Sequence, residues 1–518
     1  MTQDKPITVE DQATGKDVSR RSFLKVAGVG LAVTATGCTG KPSGGDGWVP
    51  AQYEGTGNIP AQVRGRVPID PLNLAIQRDD QKCILCGQCA DVCNRVEAVM
   101  GHYELPLIDD IPCIGCGQCS LLCPTGAISE RDDIAAFVKA LDDPEVHVVV
   151  QTAPSTRVAI AEEFGMPAGL NAEGKQVAAL KALGVDTVFD TNFTADLTIM
   201  EEAAELVKRI KGEIDGPIPQ FTSCCPGWIK FCEYFYPEML PNLSTALSPM
   251  GMLSSMLKTF YAERKGIDPK KIFSVAIMPC TAKKFEAARP EMNNAGVKLG
   301  DPKMRGTDLV LTTRELARLI KMKNIDFMGL GDSPYDKLMS EYSGAGAIFG
   351  VTGGVMEAAV RTAYYMITGE NPPPLLYDLE PVRGLAGIKS AELEVPGVGK
   401  VRVAVVSGME NAKKVLERVK NGSDSWHFIE FMACPSGCNS GGGQPKTSLP
   451  PSDAVREARI GAMYSIDEKM TLRLSHENEE IKALYKDYLG EPNGHLAHEL
   501  LHTHGYDNRS MHLTAKKN

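Results

Sequence analysis

The sequence predicts a globular chain of the α/β class with parallel sheets. From about residue 140, the strand-like runs VHVVVQ, VDTVFD, KIFSVAIM, VRVAVV and HFIEFM alternate with segments of helical period. Those segments include LTIMEEAAELVKRI, VMEAAVRTAYYMI and ENAKKVLERV. Strands that alternate with helices build parallel βαβ units, and the loops at the carboxyl ends of such strands form the functional site.

Length, charge and hydropathy bound the class of protein. The chain has 518 residues, of which 43% are hydrophobic, so two to four structural units are expected. Its 65 acidic and 55 basic residues give a net charge of -10, which argues against nucleic acid as a partner. After residue 40 no apolar run reaches the roughly 18 residues of a membrane span, which argues against a transmembrane transporter.

Residues 1–37 have the features of an export signal. Arg20 and Arg21 precede FLK and the apolar stretch VAGVGLAVTA, an arrangement that resembles a twin-arginine signal. We therefore expect recognition by the twin-arginine export machinery and a periplasmic location, or one on the outer face of the cell membrane. Residues 38–70, rich in Gly and Pro, are predicted to be a flexible linker.

Two outcomes remain open for Cys38, which follows the small residues at the end of the signal. Gly37-Cys38 resembles a lipoprotein cleavage site, so Cys38 is a candidate for a lipid anchor. Ala35 stands where a larger aliphatic residue is usual, and cleavage after Ala35 competes with that interpretation.

Eight cysteines between residues 83 and 123 form a doubled run. The pattern C-x2-C-x2-C-x3-C occurs twice, and the second copy continues with Pro124. This is the spacing of bacterial ferredoxins, where three thiolates hold one [4Fe–4S] cluster and the fourth reaches the other cluster. The expected ligand sets are Cys83, Cys86, Cys89 and Cys123 for one cluster, and Cys93, Cys113, Cys116 and Cys119 for the other. Zinc and disulfides suit eight cysteines in this register poorly.

The other cysteines fall in loops that follow predicted strands. Cys224 and Cys225 lie in FTSCCPGW, Cys280 in IMPCTAKK, and Cys434 and Cys438 in FMACPSGC. Three strand-end loops can together supply four thiolates to one further cubane. Cys232, in an aromatic helical stretch, is instead expected to be a buried structural residue.

The motifs TSCCPGW, MPCTAKK and MACPSGC resemble the three signatures of the [FeFe]-hydrogenases. The similarity covers roughly residues 75–515 and includes the doubled cysteine run. It implies a small α+β ferredoxin-like domain at 71–135 with two [4Fe–4S] clusters, and a two-lobed catalytic domain at 136–450 with the site between its lobes. It also implies a helical small-subunit-like segment at 451–518, in which His495, His498 and His502 belong to a packed terminal helix and do not bind zinc.

The resemblance also implies the cofactor and its ligands. The family's H-cluster joins a [4Fe–4S] cubane to a di-iron unit that carries CO, cyanide and a dithiolate amine. By resemblance Cys225, Cys280, Cys434 and Cys438 hold the cubane, and Cys438 bridges to the di-iron unit. Donors to the cyanides would come from Lys283 and from the loop that contains Ala153, Pro154 and Ser155. Dry packing around the unit would come from Met278, Phe349 and Met432.

A proton relay is implied in the same way. Glu202 and Glu205 share one face of a predicted helix, with Arg209 one turn further on, and alone they would be a solvated charged face. The resemblance implies that they belong to a proton path, which runs from the dithiolate amine through Cys224, Glu202, Ser244 and Glu205 to Arg209 near the surface. Leu247, Met250, Ser436, Asn439 and Ser440 depart from common family patterns without removing a ligand.

The expected activity is reversible oxidation of H2 to protons and electrons, with H2 uptake outside the cytoplasm. Electrons would leave through the two ferredoxin-type clusters to a small redox protein, either a c-type cytochrome or a ferredoxin, and hydrogenase maturation proteins would assemble the cofactor. Two other classes of protein are an iron–sulfur assembly scaffold and a hydrogen sensor. Loss of Cys224, Lys283 or a cubane cysteine would favour those classes, and all of these residues are present.

Overall fold

The computed structural model describes residues 65–100, 111–446, 452–503 and 505–506. All of them belong to the compact unit Pro60–Asn518. The predicted export signal, the possible lipid anchor at Cys38 and most of the predicted linker lie outside the described residues. In the part of the chain that is described, no helix is long and apolar enough to cross a membrane.

Ten strands, numbered in chain order, lie within the described ranges. They are β1 Ile76–Arg78, β2 Ile128–Glu130, β3 His147–Thr152, β4 Thr187–Asp190, β5 Gln220–Phe221, β6 Ile272–Met278, β7 Leu309–Thr312, β8 Ile388–Val395, β9 Gly399–Ser407 and β10 Phe428–Met432. The five strand-like runs of the sequence correspond to β3, β4, β6, β9 and β10.

The α-helices of the same ranges are numbered in the same way. They are α1 Gln88–Arg95, α2 Gln118–Leu122, α3 Ile134–Leu141, α4 Glu173–Ala182, α5 Thr191–Lys211, α6 Pro226–Phe235, α7 Pro249–Met256, α8 Ala262–Lys265, α9 Ala282–Ala288, α10 Asn294–Lys298, α11 Thr313–Met322, α12 Gly344–Ala347, α13 Gly354–Thr368, α14 Met409–Lys420, α15 Asp453–Lys469, α16 Glu479–Leu484 and α17 His495–Leu501. The three predicted helical segments lie in α5, α13 and α14.

The cysteine-rich region folds around a two-stranded sheet. Strands β1 and β2 pair antiparallel, with Ile76 opposite Glu130, and α1 and α2 lie between them in the sequence. Each of these helices begins directly after a glycine in the left-handed region, Gly87 at φ 78° and Gly117 at φ 71°. A glycine suits these positions because other residues pay a steric cost there. The chain can therefore turn sharply from each cysteine loop into its helix.

Two four-stranded sheets make up the α/β part of the chain. The first has the order β4-β3-β6-β7 and is parallel throughout, as the alternating pattern predicts. The second has the order β5-β10-β9-β8. In it β5, β10 and β9 are parallel, but β8 pairs antiparallel with β9 in a hairpin. The prediction of parallel sheets is thus wrong for β8, an edge strand that alternates buried and exposed residues.

The hydrophobic cores lie against these sheets. One cluster packs β3, β4, β6 and β7 against α3, α4 and α11, and includes Phe137, Leu180 and Phe327. Another joins α7 to residues of the C-terminal segment, including Leu484 and Leu500. The residues after 453 therefore share a core with the catalytic α/β part.

Candidate active site

Three loops at carboxyl ends of strands carry the cysteines of the site. Cys224 and Cys225 follow β5, and α6 begins at Pro226 directly after them. Cys280 follows β6 in the other sheet, two residues ahead of α9. The remaining two, Cys434 and Cys438, follow β10, the latter in the 3-10 turn Gly437–Ser440. The site thus draws on both sheets.

These loops surround an almost entirely apolar cavity of about 80 Å³. Its lining contains every residue that the resemblance places around the H-cluster. They are Ala153, Pro154, Ser155, Cys224, Cys225, Met278, Cys280, Lys283, Phe349, Met432, Cys434 and Cys438. Side chains from positions 153 to 438 thus converge on one enclosed space.

Glycine lets the backbone close around this space. Gly437 has φ 82°, and a Cβ there would lie 2.9 Å from Met432 Sδ. A Cβ on Gly441 would lie 2.3 Å from the Pro279 carbonyl oxygen. Side chains at these two positions would push the cysteine loops apart, so the loop after β10 needs glycine to approach the loop after β6.

The cavity's thiols are costly to ionise without a counter-charge. Burial raises the pKa of Cys280 to about 12, and burial likewise raises the pKa values of Cys225, Cys434 and Cys438. Iron cations would supply the positive charge that stabilises four buried thiolates. No three His, Cys, Asp or Glu side chains among the residues described here are placed to hold a single metal ion.

Lys283 brings a largely buried cation to the cavity wall. Its Nζ donates to the Cys224 carbonyl at 3.2 Å and to Ser248 Oγ at 2.8 Å. The Glu286 carboxylate lies 2.6 Å from the same Nζ. Burial lowers the pKa of Lys283, but Glu286 and, after it, Cys224 and Cys280 act together against burial, so the pKa is raised overall. Glu286 and Ser248 are functional candidates that the sequence reasoning missed, although Glu286 lies three residues after Lys283 on α9.

Ser155 supplies an unused donor to the same cavity. Its Oγ is buried and has no hydrogen-bond partner among the described residues. A buried hydroxyl without a partner carries a desolvation penalty, so it fits a site whose bound group accepts that hydrogen. Together with Lys283 and the four thiols, Ser155 gives the cavity a donor set that fits the cyanide-bearing unit of an H-cluster.

The predicted relay residues form a buried chain beside the cavity. The Ser223 backbone and the Ser244 side chain lie close enough to the Glu202 carboxyl to lower its pKa. Ser244 Oγ donates its hydrogen to Glu205 Oε2 at 2.7 Å. Burial and, after it, the charge of Glu205 raise the pKa of Glu202 to about 8. Cys224 is close enough to Glu202 that a charge on this carboxyl adds to the effect of burial in raising the pKa of the thiol. Glu202 is therefore a neutral acid at pH 7, placed between Cys224 and Ser244.

Arg209 differs from the prediction that it lies near the surface. It is buried, and one of its guanidinium nitrogens donates to Glu205 Oε1 at 2.5 Å. The same side chain donates to the carbonyls of Pro217, Pro241 and Leu243. These acceptors and the Glu205 carboxylate hold the arginine under the loop that follows α5.

The eight cysteines of the doubled run line two separate cavities. One is lined by Cys83, Cys86, Cys89 and Cys123, and the other by Cys93, Cys113, Cys116 and Cys119. These are the two sets expected from the spacing. Backbone N–H groups point at sulfur in both, from Val67 to Cys89 at 3.2 Å and from Gly115 to Cys113 at 3.4 Å. Such donors stabilise thiolates that hold a cluster.

The second of these cavities lies directly against the loop after β10. A Cβ on Gly442 would lie 2.2 Å from the Cys116 carbonyl oxygen. Gln118 Nε2 donates to the Ser440 carbonyl at 2.8 Å, and Thr281 Oγ1 donates to the Gly115 carbonyl at 2.6 Å. The cysteine loop of one cavity therefore touches the cysteine loops of the active-site cavity through backbone atoms.

Glu97 is a third residue that the sequence reasoning missed. Its carboxyl group is buried against Cys116, and neither of its oxygens has another hydrogen-bond partner among the described residues. Burial raises its pKa well above the ordinary value, with the bond to Cys116 opposing. No local sequence pattern marks it, because only the fold brings it against the cysteine.

The other residues noted in the sequence lie in packed or hydrogen-bonded surroundings. Cys232 is fully buried in the core cluster beneath α6, and its Sγ contacts the Tyr236 carbonyl. Among the departures from the family pattern, Met250 lines the active-site cavity, and Ser436 adopts φ 63° with its Oγ 2.7 Å from Ser440 Oγ. Asn439 and Leu247 are buried.

Comparison with known proteins identifies the family. The model described as iron only hydrogenase large subunit, C-terminal domain, matches residues 146–442, more than half of the chain. The chain belongs to the iron-only, or [FeFe]-, hydrogenases. Residues 453–509 match the iron hydrogenase small subunit, and residues 106–129 match a 4Fe-4S binding domain.

Individual [FeFe]-hydrogenases are similar over most of the chain. Iron hydrogenase 1 of Clostridium pasteurianum is 45% identical over 451 residues, which are 84% of this chain and 76% of that one. The periplasmic [Fe] hydrogenase large subunit of Nitratidesulfovibrio vulgaris is 48% identical over 374 residues, 71% of this chain and 86% of that one. The solved apo [FeFe]-hydrogenase HydA1 of Chlamydomonas reinhardtii superposes with a TM-score of 0.63 at 44% identity, and the match covers 72% of this chain and 98% of that one.

Family membership establishes the reaction class and the cofactors. The chain is a hydrogenase, an oxidoreductase that acts on hydrogen. Its cofactors are the H-cluster and ferredoxin-like [4Fe–4S] clusters.

Proposed function

We propose that this hydrogenase oxidises H2 outside the cytoplasm, releasing two protons and two electrons per H2 by separate routes. The observation that carries the proposal is the single apolar cavity onto which four predicted cubane cysteines, Cys224 and Lys283 converge. The relay carboxylates lie to one side of this cavity, and the cysteine loops of the ferredoxin-like region lie against its wall. Protons and electrons thus have different exits.

In this proposal the cavity residues hold the H-cluster, which supplies the iron and the amine base for heterolytic splitting of H2. Cys225, Cys280, Cys434 and Cys438 would hold the cubane, and Cys438 would be the thiolate shared with the di-iron unit. Lys283 holds a cyanide by a charge-assisted hydrogen bond, and the loop of Ala153, Pro154 and Ser155 serves the other cyanide. The side chains of Met278, Phe349 and Met432 exclude water from the cavity, which strengthens these polar contacts.

The protons leave through side chains that can each hold or pass one. Cys224 takes a proton at its thiol beside the cavity and passes it to Glu202. Because the pKa of Glu202 is about 8, this carboxyl can exchange a proton near neutral pH. Ser244 then connects it to Glu205, whose carboxylate is held by Arg209 at 2.5 Å.

The electrons leave through the two ferredoxin-type clusters. Cys93, Cys113, Cys116 and Cys119 stand next to the active-site loops and would hold the cluster that is first in line to accept electrons. The set of Cys83, Cys86, Cys89 and Cys123 follows, and Cys86 is exposed there. A small redox protein, a c-type cytochrome or a ferredoxin, is the proposed acceptor.

The proposed domain plan keeps the expected boundaries and cellular route. A signal at 1–37 and a linker at 38–70 precede the ferredoxin-like domain at 71–135, the two-lobed catalytic domain at 136–450 and the small-subunit-like helical segment at 451–518. Maturation proteins load the H-cluster, and the twin-arginine machinery exports the folded protein to the periplasm or the outer face of the membrane, with Cys38 as a possible lipid anchor. The 48% identity to a periplasmic hydrogenase supports this location.

Infrared spectroscopy of the purified, matured protein tests the proposal directly. Bands of metal-bound CO and cyanide, together with H2-dependent reduction of a dye, are the expected result. A matured protein that holds its cubanes but lacks these bands would be an assembly scaffold. One that has the bands but negligible turnover would be a sensor, and either result would contradict the proposed function. Replacement of Arg20 and Arg21 by lysine, followed by cell fractionation, tests the export route.

A further inference from the structure

A second chain of hydrogen bonds branches from the relay toward the C-terminal segment. Thr245 Oγ1 lies 3.3 Å from Glu205 Oε2 and 2.8 Å from His502 Nδ1. On the other side of the imidazole, His502 Nε2 lies 2.9 Å from Glu201 Oε2. His502 and Glu201 are both fully buried. One hydroxyl therefore joins a relay carboxylate to a buried histidine.

The protein holds this branch in place from several sides. The Glu201 carboxylate also accepts the Tyr485 hydroxyl, and the Asn493 N–H at 2.7 Å. Asn294 Nδ2 donates to the His502 carbonyl at 2.7 Å, and the backbones of Ala246 and His502 form a bridge. Such fixed surroundings leave the imidazole little freedom to reorient, so its hydrogen-bond pattern depends on its protons alone.

Thr245 has one hydroxyl hydrogen and two competing acceptors. When His502 is neutral, its Nε2–H donates to Glu201, and its bare Nδ1 accepts the Thr245 hydrogen. When His502 is protonated, its Nδ1–H donates to Thr245 Oγ1, and the hydroxyl hydrogen must point to Glu205 instead. An additional hydrogen bond to the Glu205 carboxylate stabilises its ionised form. The proton on His502 therefore sets how readily Glu205 accepts a proton.

We propose that His502 is a positioning residue of the proton relay, which acts on Glu205 through the hydroxyl of Thr245. This inference rests on the proposed relay and deepens it, because it gives the C-terminal segment a part in proton transfer. Neutral His502 draws the hydroxyl away and lets Glu205 take a proton from Ser244. Protonated His502 turns the hydroxyl to Glu205 and keeps that carboxylate charged.

Other ionisable groups face His502 and belong to the same balance. Glu201 faces it from α5, and Tyr485 stands beyond Glu201 in the turn after α16. The His498 ring of α17 stacks on the His502 ring at 4.7 Å. Arg209 lies on the far side of Glu205 and holds Oε1, whereas Thr245 Oγ1 reaches Oε2. The branch therefore acts on the Glu205 oxygen that also accepts from Ser244.

Variants at the two positions test this order of action on the alkaline limb of the pH profile for H2 evolution, at a pH where His502 is neutral. In His502→Phe, the Thr245 hydroxyl has only Glu205 to bond, so the limb should shift to lower pH by about 0.5–1 pH unit, which corresponds to one neutral hydrogen bond. In Thr245→Val, the limb should stay at its wild-type position, because neutral His502 already draws the hydroxyl away from Glu205. The double variant should behave like Thr245→Val and lose the shift of His502→Phe, because His502 acts through Thr245.

The controls separate a positioning role from a structural one. Thr245→Ser keeps the hydroxyl and should recover the wild-type profile. His495→Gln changes an exposed histidine of the same segment and, as a control, should also keep that profile. Infrared difference spectra of the carboxyl region provide a readout that does not depend on turnover. At alkaline pH the band that is lost in Glu205→Gln should move in His502→Phe and return to its wild-type position in the double variant.

The outcomes are distinguishable from failure of the proposed function. Wild-type protein without metal CO and cyanide bands would remove the function, whatever the variants do. If the wild type is active, an unshifted limb in His502→Phe, or a double variant that keeps the His502→Phe shift, would overturn the proposed role of His502. If His502→Phe fails to fold, Thr245→Val should still move the Glu205 band at acid pH, where protonated His502 turns the hydroxyl to Glu205, and an unmoved band would overturn the role equally.

Discussion

The Lys283 ammonium and the Glu286 carboxylate form a buried ion pair, 2.6 Å apart, at the wall of the active-site cavity. They lie three positions apart on α9, so the pair is fixed by one helical turn. Glu286 keeps the lysine charged despite its burial. The cavity thereby keeps a cation beside a space that is otherwise apolar.

We predict that Lys283→Met loses the di-iron unit and keeps the cubane. The methionine fills the space of the side chain but offers no charge-assisted hydrogen bond to a cyanide, which would weaken retention by about 10–100-fold. The infrared bands of CO and cyanide should fade, whereas the electron paramagnetic resonance signal of the reduced cubane should remain. Lys298→Met, at a half-exposed lysine, is the matched control and should keep both signals.

Cys224 and Cys225 are adjacent, but their variants should fail differently. Cys224→Ala should leave the metal centre assembled and lower turnover by about 10²–10⁴-fold, because a positioned proton donor is lost. Cys225→Ala should lack one cubane thiolate and disturb assembly. Cys224→Asp should recover part of the activity. Iron content and turnover, measured on the same samples, check this division, and near-native activity of Cys224→Ala would contradict it.

Cys119→Ala tests the electron route. It removes a buried thiolate from the cluster next to the active site, so electrons should no longer reach an external carrier. Turnover with that carrier should fall while the infrared bands of the active site survive. Cys232→Ala removes another buried cysteine that lies outside both cluster cavities, and should keep turnover. Full activity of Cys119→Ala would show another exit for electrons.

Glu202→Gln should gain stability at alkaline pH while it loses activity. The pKa of Glu202 is about 8 in the folded chain and its ordinary value is 4.5, so between these values only the folded state keeps the proton. The wild type therefore loses stability as pH rises through this window, and the glutamine variant does not. Above pH 8 the variant should be more stable by roughly 2–4 kcal/mol. Thermal unfolding midpoints at pH 5 and pH 9 check this, with the exposed Glu213→Gln as control; equal pH dependence would contradict it.

The sequence was most informative where a local pattern carries the structure. Five buried strands are visible as apolar runs, and the doubled cysteine run anticipates which thiols share a cavity. The edge strand β8 was missed because its IKSAELEV sequence alternates apolar and charged residues and lacks a continuous apolar run. The two-residue strand β5 is too short to give a periodic signal at all.

The residues of the site were predictable from motifs, but the contacts that support them were not. Lys283 was found through its signature, whereas its partner Ser248 lies 35 positions earlier and is brought close only by packing. Thr245 and His502 are 257 positions apart. Neither local propensity nor spacing encodes such pairs, and the pair of Thr245 and His502 arises only where α17 packs against α7. The burial of Arg209 has the same origin, because its acceptors lie on the loops after α5 and α6.

The contact between Gly442 and the Cys116 carbonyl has a consequence for modular engineering of this hydrogenase. A ferredoxin-like module of this kind is a candidate for exchange between related proteins, with the junctions placed at domain boundaries. Here the two parts meet through main-chain atoms at a distance that leaves no room for a methyl group. The side chains of Gln118 and Thr281, one from each part, also form hydrogen bonds across this contact. A successful chimera would therefore have to take both contacting loops from the same parent protein, with the junction placed elsewhere in the chain.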